Sequence, residues 1–445
     1  MTMTMSSDLP IVVIGAGPVG LAAAAHLVAR GKHPLVLEAG DDVATNVRDW
    51  GHVRLFSPWR YNIDKTAAKL LEAEGWKTPS PEELPTGGEL VEHYLRPLAD
   101  LFARANHIRF GHRVVAVTRL VTDKVKTRDR NAAPFLIRVR DRSGGEQDVL
   151  ARAVIDASGT WATPNPLGAA GLPAIGEGAL GENIRYGIPD VLGRDRARYE
   201  GKRTLVVGAG HSAANAILAL VELAAENFAT RVVWATRSQE LKRVFGGGEA
   251  DGLPARGELG VRLRDLVDTG RLQLVRGFSI SAVTRSTSND SIAVTGTRDG
   301  EPYQIANVDT IIAATGQRPD LAVTRELRLE LDPGLESSRK LGPLIDPNEH
   351  SCGTVRPHGA AELAHPDANF YVIGAKSYGR APTFLLATGY EQARSVVAML
   401  VGDREAALRV ELDLPETGVC STDSASSGES CCAPDSERST ASCCG

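Results

Sequence analysis

Apolar positions along the chain form two kinds of pattern: short unbroken runs, and longer stretches with helical spacing. The first run, Ile11-Val12-Val13-Ile14, is β-branched throughout and predicts a buried parallel strand. It enters Gly15-Ala16-Gly17-Pro18-Val19-Gly20, which opens an Ala-rich helix ending near Arg30, with Gly31 as its stop. Leu35-Val36-Leu37 predicts a second strand and ends in Glu38. Residues 46–64 are aromatic and Arg-bearing without a clear period, which predicts a loop. Leu84-Pro85-Thr86 then leads into an amphipathic helix over 88–105, with Leu90, Tyr94, Leu98 and Leu101 on one stripe. Residues 113–117 and 135–139 are strand-like, and 153–161 is a strand running into glycine. The Pro/Gly-rich passage 164–187 predicts a linker or crossover. After it the opening is replayed: a strand over 204–207, Gly208-Ala209-Gly210-His211-Ser212-Ala213, a helix through about Ala225, and a strand over 231–235. Residues 308–320 mirror the 155–159 strand, 369–374 is a last strand before glycine, and 383–400 is a helix with Gly389 near its middle.

Strand, glycine turn, helix, strand and acid together make the dinucleotide-binding fingerprint. Gly15 permits the tight turn, Gly17 lets the backbone approach a pyrophosphate, and Gly20 lets helix and strand pack closely. The helix start offers free N–H groups and a positive dipole end to phosphates, and Glu38 can accept both hydrogen bonds of a ribose diol. The competing reading, an apolar helix or signal anchor, fails for want of a basic leader and because glycines and a proline interrupt the run. The repeat differs at the ribose position, where Ala235-Thr236-Arg237-Ser238 carries no acid and Lys242 and Arg243 follow. An arginine there suits a 2′-phosphate and favours NADPH over NADH. The alternative for Arg237 is a solvated surface charge.

Composition adds limits. A chain of 445 residues holds two or three domains, and a formal net charge of −5 argues against a nucleic-acid partner. With no window apolar enough to span a bilayer and no signal peptide before the first strand, the expectation is a soluble cytoplasmic protein with no membrane partner. Of the 6 cysteines, Cys352 alone falls in the part expected to fold, and Cys420, Cys431, Cys432, Cys443 and Cys444 crowd the last stretch. That is no disulfide scaffold. From Pro415 the composition predicts disorder. Neighbouring thiolates are soft ligands suited to Cu(I), Zn, As(III) or Hg(II). The alternative is a variable tail whose cysteines do nothing.

Two fingerprints, one ending in Glu and one in Arg, with two ASG/ATG strands, resemble the two-dinucleotide-binding-domain flavoproteins over nearly all of the chain up to about Leu414. The resemblance implies an α/β fold of two Rossmann-like domains. A FAD-binding domain occupies 1–165 and returns over 321–414, an NADPH-binding domain with its crossovers occupies 166–320, and 415–445 is a disordered Cys-rich tail. It implies FAD at Gly15, Gly17, Gly20 and Glu38, with Ser158, Gly159 and Gly374 as further backbone contacts, and NADPH at Gly208, Gly210, Ser212, Ala213 and Arg237. Ser57 and Pro58 would form the turn near the isoalloxazine, with Trp59, Arg60, Tyr61 and Asn62 as wall residues.

The reductase branches of that superfamily need CxxC or CxxxxC beside the flavin, and neither is in the sequence. The flavin-containing monooxygenase branch needs no cysteine, and residues 57–103 are similar to its corresponding stretch. There NADPH reduces FAD, and oxygen added to the reduced flavin oxidises a soft nucleophile. Asn62 lies about where those enzymes place an Asn, which makes Asn62 and Arg60 the candidate catalytic side chains. Two departures stand out: residues 184–190 lack the expected histidine, and the usual Gly-Asp pair is Gly374-Ala375. The tail makes the chain similar to flavin monooxygenases from arsenic-resistance gene clusters, with a small-molecule substrate, molecular oxygen and As(III) or another thiophilic metal as partners. An NADPH-dependent reductase passing electrons to the tail, and a metalloid-binding sensor or chaperone, remain the alternatives.

Overall fold

Two five-stranded parallel sheets carry the chain, and each is built around one of the glycine loops. The computed structural model describes residues 9–412, apart from 247, 249, 250, 287–289, 350–354, 382 and 383 and the side chains of Lys242 and Arg243. All six cysteines, and with them the expected tail, lie outside the described residues.

In the first sheet the order is Phe370–Val372, Ala153–Asp156, Ile11–Ile14, Pro34–Leu37, Ile108–Arg109. In the second it is Ile184–Tyr186, Thr310–Ala313, Arg203–Val207, Arg231–Ala235, Gln273–Val275. The repeat seen in the sequence is therefore a repeat of whole sheets, with the strand before the glycine loop central in both. These central strands are buried on both faces, which is why they read as unbroken apolar runs. Strand Ile184–Tyr186 adds a strand to the passage 164–187, expected to be a linker or crossover. It is three residues long and follows a 3₁₀ segment, Glu177–Asn183. Its pairing with Thr310–Ala313, rather than any local pattern, makes it a strand.

One face of the first sheet is covered by helices Pro18–Ala29 and Leu386–Leu400, the other by an antiparallel sheet of Arg113–Arg119, Phe135–Arg140 and Glu146–Ala151. A second antiparallel sheet, Phe278–Arg285, Ile292–Arg298 and Glu301–Val308, packs on the second parallel sheet. Gly389 has a clear purpose. A Cβ there would stand 2.5 Å from Val19 Cγ2, so glycine lets the two covering helices approach. The helix expected over 88–105 runs from Gly87 to Arg104 but is interrupted by a π turn, Val91–Leu95. Pro97 has no N–H for the carbonyl of His93, and Trp76 Nε1 donates to that carbonyl instead, at 2.8 Å. Among the described residues no helix is long and apolar enough to cross a membrane.

The sheets are joined by two crossovers that pair with each other: Asn165 N donates to Gly316 O at 2.9 Å and Arg318 N to Thr163 O at 3.0 Å. The return of the chain to the first sheet is locked by a buried node. Asp367, 0 % exposed, receives Arg130 Nε and Nη2 at 2.9 Å each and the Arg328 backbone N–H at 2.6 Å, with Arg119 Nε at 3.4 Å. The Arg119 guanidinium lies 3.6 Å from the Phe135 ring centroid. Burial alone would raise the Asp367 carboxyl, but the Arg130 and Arg328 hydrogen bonds and the two guanidinium charges outweigh it and hold it below the usual carboxylate range.

Removing one partner of such a node strands buried charge, which typically costs about 3–5 kcal/mol. Asp367→Asn is expected to lower the free energy of unfolding in urea by about that amount. A carboxyl held low stabilises the fold above its unfolded-state value near 4 and loses that contribution as pH falls through its folded value. The acid limb of the wild-type stability curve should therefore be steeper than that of Asp367→Asn.

Candidate active site

Both glycine loops pass a test that depends on their own geometry. Gly15 sits at φ +97°, and a Cβ there would meet Ala157 O at 2.9 Å. A Cβ on Gly20 would stand 2.1 Å from Gly15 O, whereas one on Gly17 would meet nothing within 4 Å. The first and third glycines are thus needed by the protein itself, and the second leaves open space over the start of helix Pro18–Ala29. The second loop repeats this. Gly208 is at φ +131° with Ala314 O 2.1 Å from its would-be Cβ, and Gly210 opens on free space. Ala213 is buried and Ser212 half-buried at the start of helix His211–Glu226. Free N–H groups at a helix start beside an open glycine are a cradle for a pyrophosphate, so the residues present fit a dinucleotide at each loop.

Glu38 is 9 % exposed at the end of its strand. Its Oε2 accepts from Ala16 N and its Oε1 from Gly40 N, both at 2.7 Å. The carboxylate therefore stiffens the loop and keeps one lone pair per oxygen for a diol. Arg237 is exposed, and its Nη1 donates to Ala169 O at 3.0 Å, which draws the crossover to the end of strand Arg231–Ala235. Lys242 and Arg243 are outside the described side chains.

Three turns from distant parts of the chain meet at the rim of the first sheet, and each is held by a buried polar group. Asn62, 1 % exposed, donates through Nδ2 to Ser57 O at 2.6 Å and Pro58 O at 3.1 Å, and its Oδ1 accepts from Ser57 Oγ at 2.9 Å. The amide is the fastening of the Ser57-Pro58 turn, and Tyr390 Oη ties Asn62 O to helix Leu386–Leu400 at 2.7 Å. Arg60 is exposed, pairs with Glu82 and lies over Tyr61. Ser158 gives both its N–H and its hydroxyl to Asp156 Oδ1, at 3.1 and 2.6 Å, and Gly159 follows at φ +72° with open space beside it. Gly374, φ +73°, gives its N–H to Gln392 Oε1 at 2.7 Å, and its carbonyl accepts from Ser377 Oγ at 2.8 Å.

Sequence reading missed two features of this rim. Lys376 is buried, with Nζ 2.7 Å from Asp156 Oδ2 and 3.1 Å from Ser158 Oγ. The pair stands 220 residues apart in the chain, and no local pattern announces it. The other is the contact between the two halves. His211, in the second glycine loop, packs against Phe56 beside the Ser57 turn, with ring centroids 5.3 Å apart. Arg256, held bidentately by buried Asp251, lies 5.8 Å from the Phe56 centroid. Burial pushes the His211 imidazole below its ordinary value, and the Arg256 charge adds to this. Trp161, just after the Gly159 turn, donates to Asp49 at 3.0 Å and faces Trp50 at 6.4 Å. Among the described residues no group of three or more His, Cys, Asp or Glu is placed to hold a metal ion.

Two glycine loops built alike, the second touching Phe56 beside the Ser57 turn, define a protein of the two-dinucleotide class. The chain belongs to the pyridine nucleotide-disulphide oxidoreductase family, whose model matches residues 12–352; this is a family of FAD- and NAD(P)H-dependent oxidoreductases. Its sequence is 29% identical over 201 residues to the indole-3-pyruvate monooxygenase YUCCA1 of Oryza sativa subsp. japonica, covering 45% of this chain and 42% of that protein. The fold is similar to the bacillithiol disulfide reductase of Bacillus cereus, with TM-score 0.64, 19% identity and 89% and 99% of the two chains covered. It is similar as well to the cadaverine monooxygenase DfoA of Erwinia amylovora, with TM-score 0.63, 16% identity and 92% and 97% covered.

The two glycines of the first loop should separate in effect. Gly17→Ala is expected to keep the thermal unfolding midpoint of the apoprotein and to weaken FAD binding. Gly20→Ala should lower both, because its Cβ meets a backbone oxygen. Differential scanning calorimetry of the apoproteins and flavin titration check this.

Proposed function

We propose that this protein is an NADPH-using flavoprotein of the monooxygenase type that oxygenates a soft centre: sulfur, nitrogen or trivalent arsenic. The observation that carries the reading is the cysteine distribution. Apart from Cys352 every cysteine follows residue 419, and none forms CxxC or CxxxxC. The sequence therefore offers hydride arriving at the flavin no CxxC or CxxxxC dithiol of the kind the reductase branches use. The partial similarity to a plant monooxygenase supports the same direction. Bound at the first rim, FAD supplies the redox and oxygen chemistry that the side chains here cannot. The chain's own contributions are positional: Gly17 and Gly210 admit the pyrophosphates, Glu38 takes the ribose diol, and Ser57, Pro58, Ser158, Gly159 and Gly374 shape the flavin cradle. Asn62 keeps the Ser57 turn in place, and Arg60, paired with Glu82, borders it. The Trp50–Trp161 and Phe56–His211 ring contacts border the flavin rim and the place where the two halves touch. In the second loop Ser212 and Ala213 line the helix start, and Arg237 takes a 2′-phosphate.

A second reading has its own support. Cys420 and the vicinal pairs Cys431-Cys432 and Cys443-Cys444 form a thiophilic set at the end of the sequence, suited to As(III) or a soft metal. In that reading the flavoprotein reduces a tail-bound metalloid or disulfide, or senses it; a place in arsenic resistance would follow only where the soft centre or the tail-bound species is arsenic.

Mixing the NADPH-reduced holoprotein with oxygen and soft substrates decides between them. A monooxygenase converts NADPH and oxygen into oxygenated product in near one-to-one ratio, and Ser replacement of all five tail cysteines leaves that ratio intact. Stoichiometric release of hydrogen peroxide with every substrate, and loss of metalloid-dependent turnover in the tail variant, would move the assignment to the reductase. Arg237→Ala is expected to raise KM for NADPH roughly tenfold or more, from a charge-assisted bond of about 1.5–3 kcal/mol, while KM for NADH stays within about twofold.

A further inference from the structure

Gln392 lies on helix Leu386–Leu400 at 0 % exposure and joins the Gly374 turn to a buried histidine. Its Oε1 accepts the Gly374 N–H at 2.7 Å. Its Nε2 lies 2.9 Å from His358 Nε2 and 2.9 Å from Ser377 Oγ, and Ser377 Oγ donates to Gly374 O at 2.8 Å. At the far end His358 Nδ1 lies 3.0 Å from Arg356 O. Backbone groups set the polarity at both ends, since the Gly374 N–H can only donate and the Arg356 carbonyl can only accept. Every hydrogen in between follows. His358 carries its proton on Nδ1, its Nε2 is a bare acceptor, and Gln392 donates both amide hydrogens, one to His358 and one to Ser377.

We propose that Gln392, oriented by neutral His358, is a positioning residue for the flavin turn at Gly374, and that protonation of His358 releases that turn. A second proton on His358 would set an N–H against the Gln392 amino group, donor against donor. Turning the amide over satisfies His358 but places the amino group against the Gly374 N–H, which then has no acceptor in a buried site. Gly374 already occupies the left-handed region, so the circuit on both its N–H and its carbonyl is what keeps the turn in shape. The groups facing His358 are Glu362 on helix Ala360–Leu363, Glu391 on the Gln392 helix, itself held by Arg394, the Arg356 carbonyl, and the Tyr378 ring at 5.5 Å. Burial presses the imidazole below its ordinary value against the pull of the Arg356 carbonyl and of Glu362 and Glu391, so the neutral form prevails at pH 7. The inference rests on the flavin site proposed above and adds a proton-dependent control of it.

The sign follows from linkage. FAD binding that requires neutral His358 is at full strength above about pH 6.5 and weakens as pH falls. The apoprotein is titrated with FAD in NADPH-free buffer of constant ionic strength from about pH 8 to about pH 5.5, read by flavin fluorescence. His365, held down at about 4 by burial, does not titrate in that range. The wild-type Kd is expected to rise more than threefold between the two limits, but by less than the roughly tenfold that an unshifted imidazole would give. His358→Gln keeps an acceptor near the Nε2 position without a titrating group, and its Kd should change less than about threefold over the range, whatever its absolute value. Ser377→Ala, which opens the circuit without touching the histidine, should bind FAD more weakly while keeping the wild-type slope. Circular dichroism and unfolding midpoints of the apoproteins at each pH confirm that the variants fold. If His358→Gln does not, the wild-type slope and Ser377→Ala still decide. A flat wild-type curve, a His358→Gln slope equal to wild type, or a Ser377→Ala affinity equal to wild type overturns the inference and leaves the flavin site standing. Failure to bind FAD at every pH overturns both.

Discussion

In each parallel sheet a glycine at the end of the central strand lies directly against the carbonyl that follows the crossing strand: Gly15 against Ala157 O and Gly208 against Ala314 O. No side chain fits there. The contact turns the backbone sharply, so the next helix starts immediately above the sheet edge with its first N–H groups facing out of the rim. Gly20 repeats the constraint one helical turn later, where its Cα faces Gly15 O. Strand, turn and helix become a rigid unit, and the phosphate cradle is a consequence of that packing rather than an addition to it. Because the constraint occurs twice, the chain has two rims of the same chemistry.

Around the first rim the structure repeats another device. The Ser57, Ser158 and Gly374 turns come from segments far apart in the chain, and each is fastened by hydrogen bonds to a buried polar side chain. Asn62, the Asp156–Lys376 pair and Gln392 carry those roles. A buried ion pair is expensive to desolvate and is seldom a net gain in stability. Here it sits where shape matters most, between the Gly159 turn and the segment after Gly374. Such polar fastening stiffens a site before its ligand arrives, so less ordering is left to do on binding.

An aromatic contact joins the two halves beside the Ser57 turn. Phe56 and His211 belong to different sheets' loops, and their contact brings the second loop against the Ser57 turn. Trp161 extends the Gly159 turn toward Trp50 and Asp49, closing the opposite flank. Gly187, at φ +85°, has no room for a Cβ because the Trp161 ring stands 2.9 Å from where it would be.

Much of this was readable in advance. Both fingerprints, the repeat, the crossing strands and the covering helices follow from glycines at set offsets and from apolar periodicity, which are local constraints of backbone sterics and burial. Strand Ile184–Tyr186 and the antiparallel sheet over 278–308 were not readable, because half-exposed strands, whatever their length, owe their form to the neighbours they pair with. The π turn before Pro97 needed Trp76, a residue 17 positions from the carbonyl it rescues. Sequence alone therefore determined the cofactor class and the two loops, since the identity of a glycine or an acid at one position suffices there. Only the tertiary structure decided which side chains hold those loops. Asp156 with Lys376 and Gln392 with His358 are ordinary residues in the sequence; folding buries them within hydrogen-bond reach of one another, and that proximity gives them their roles.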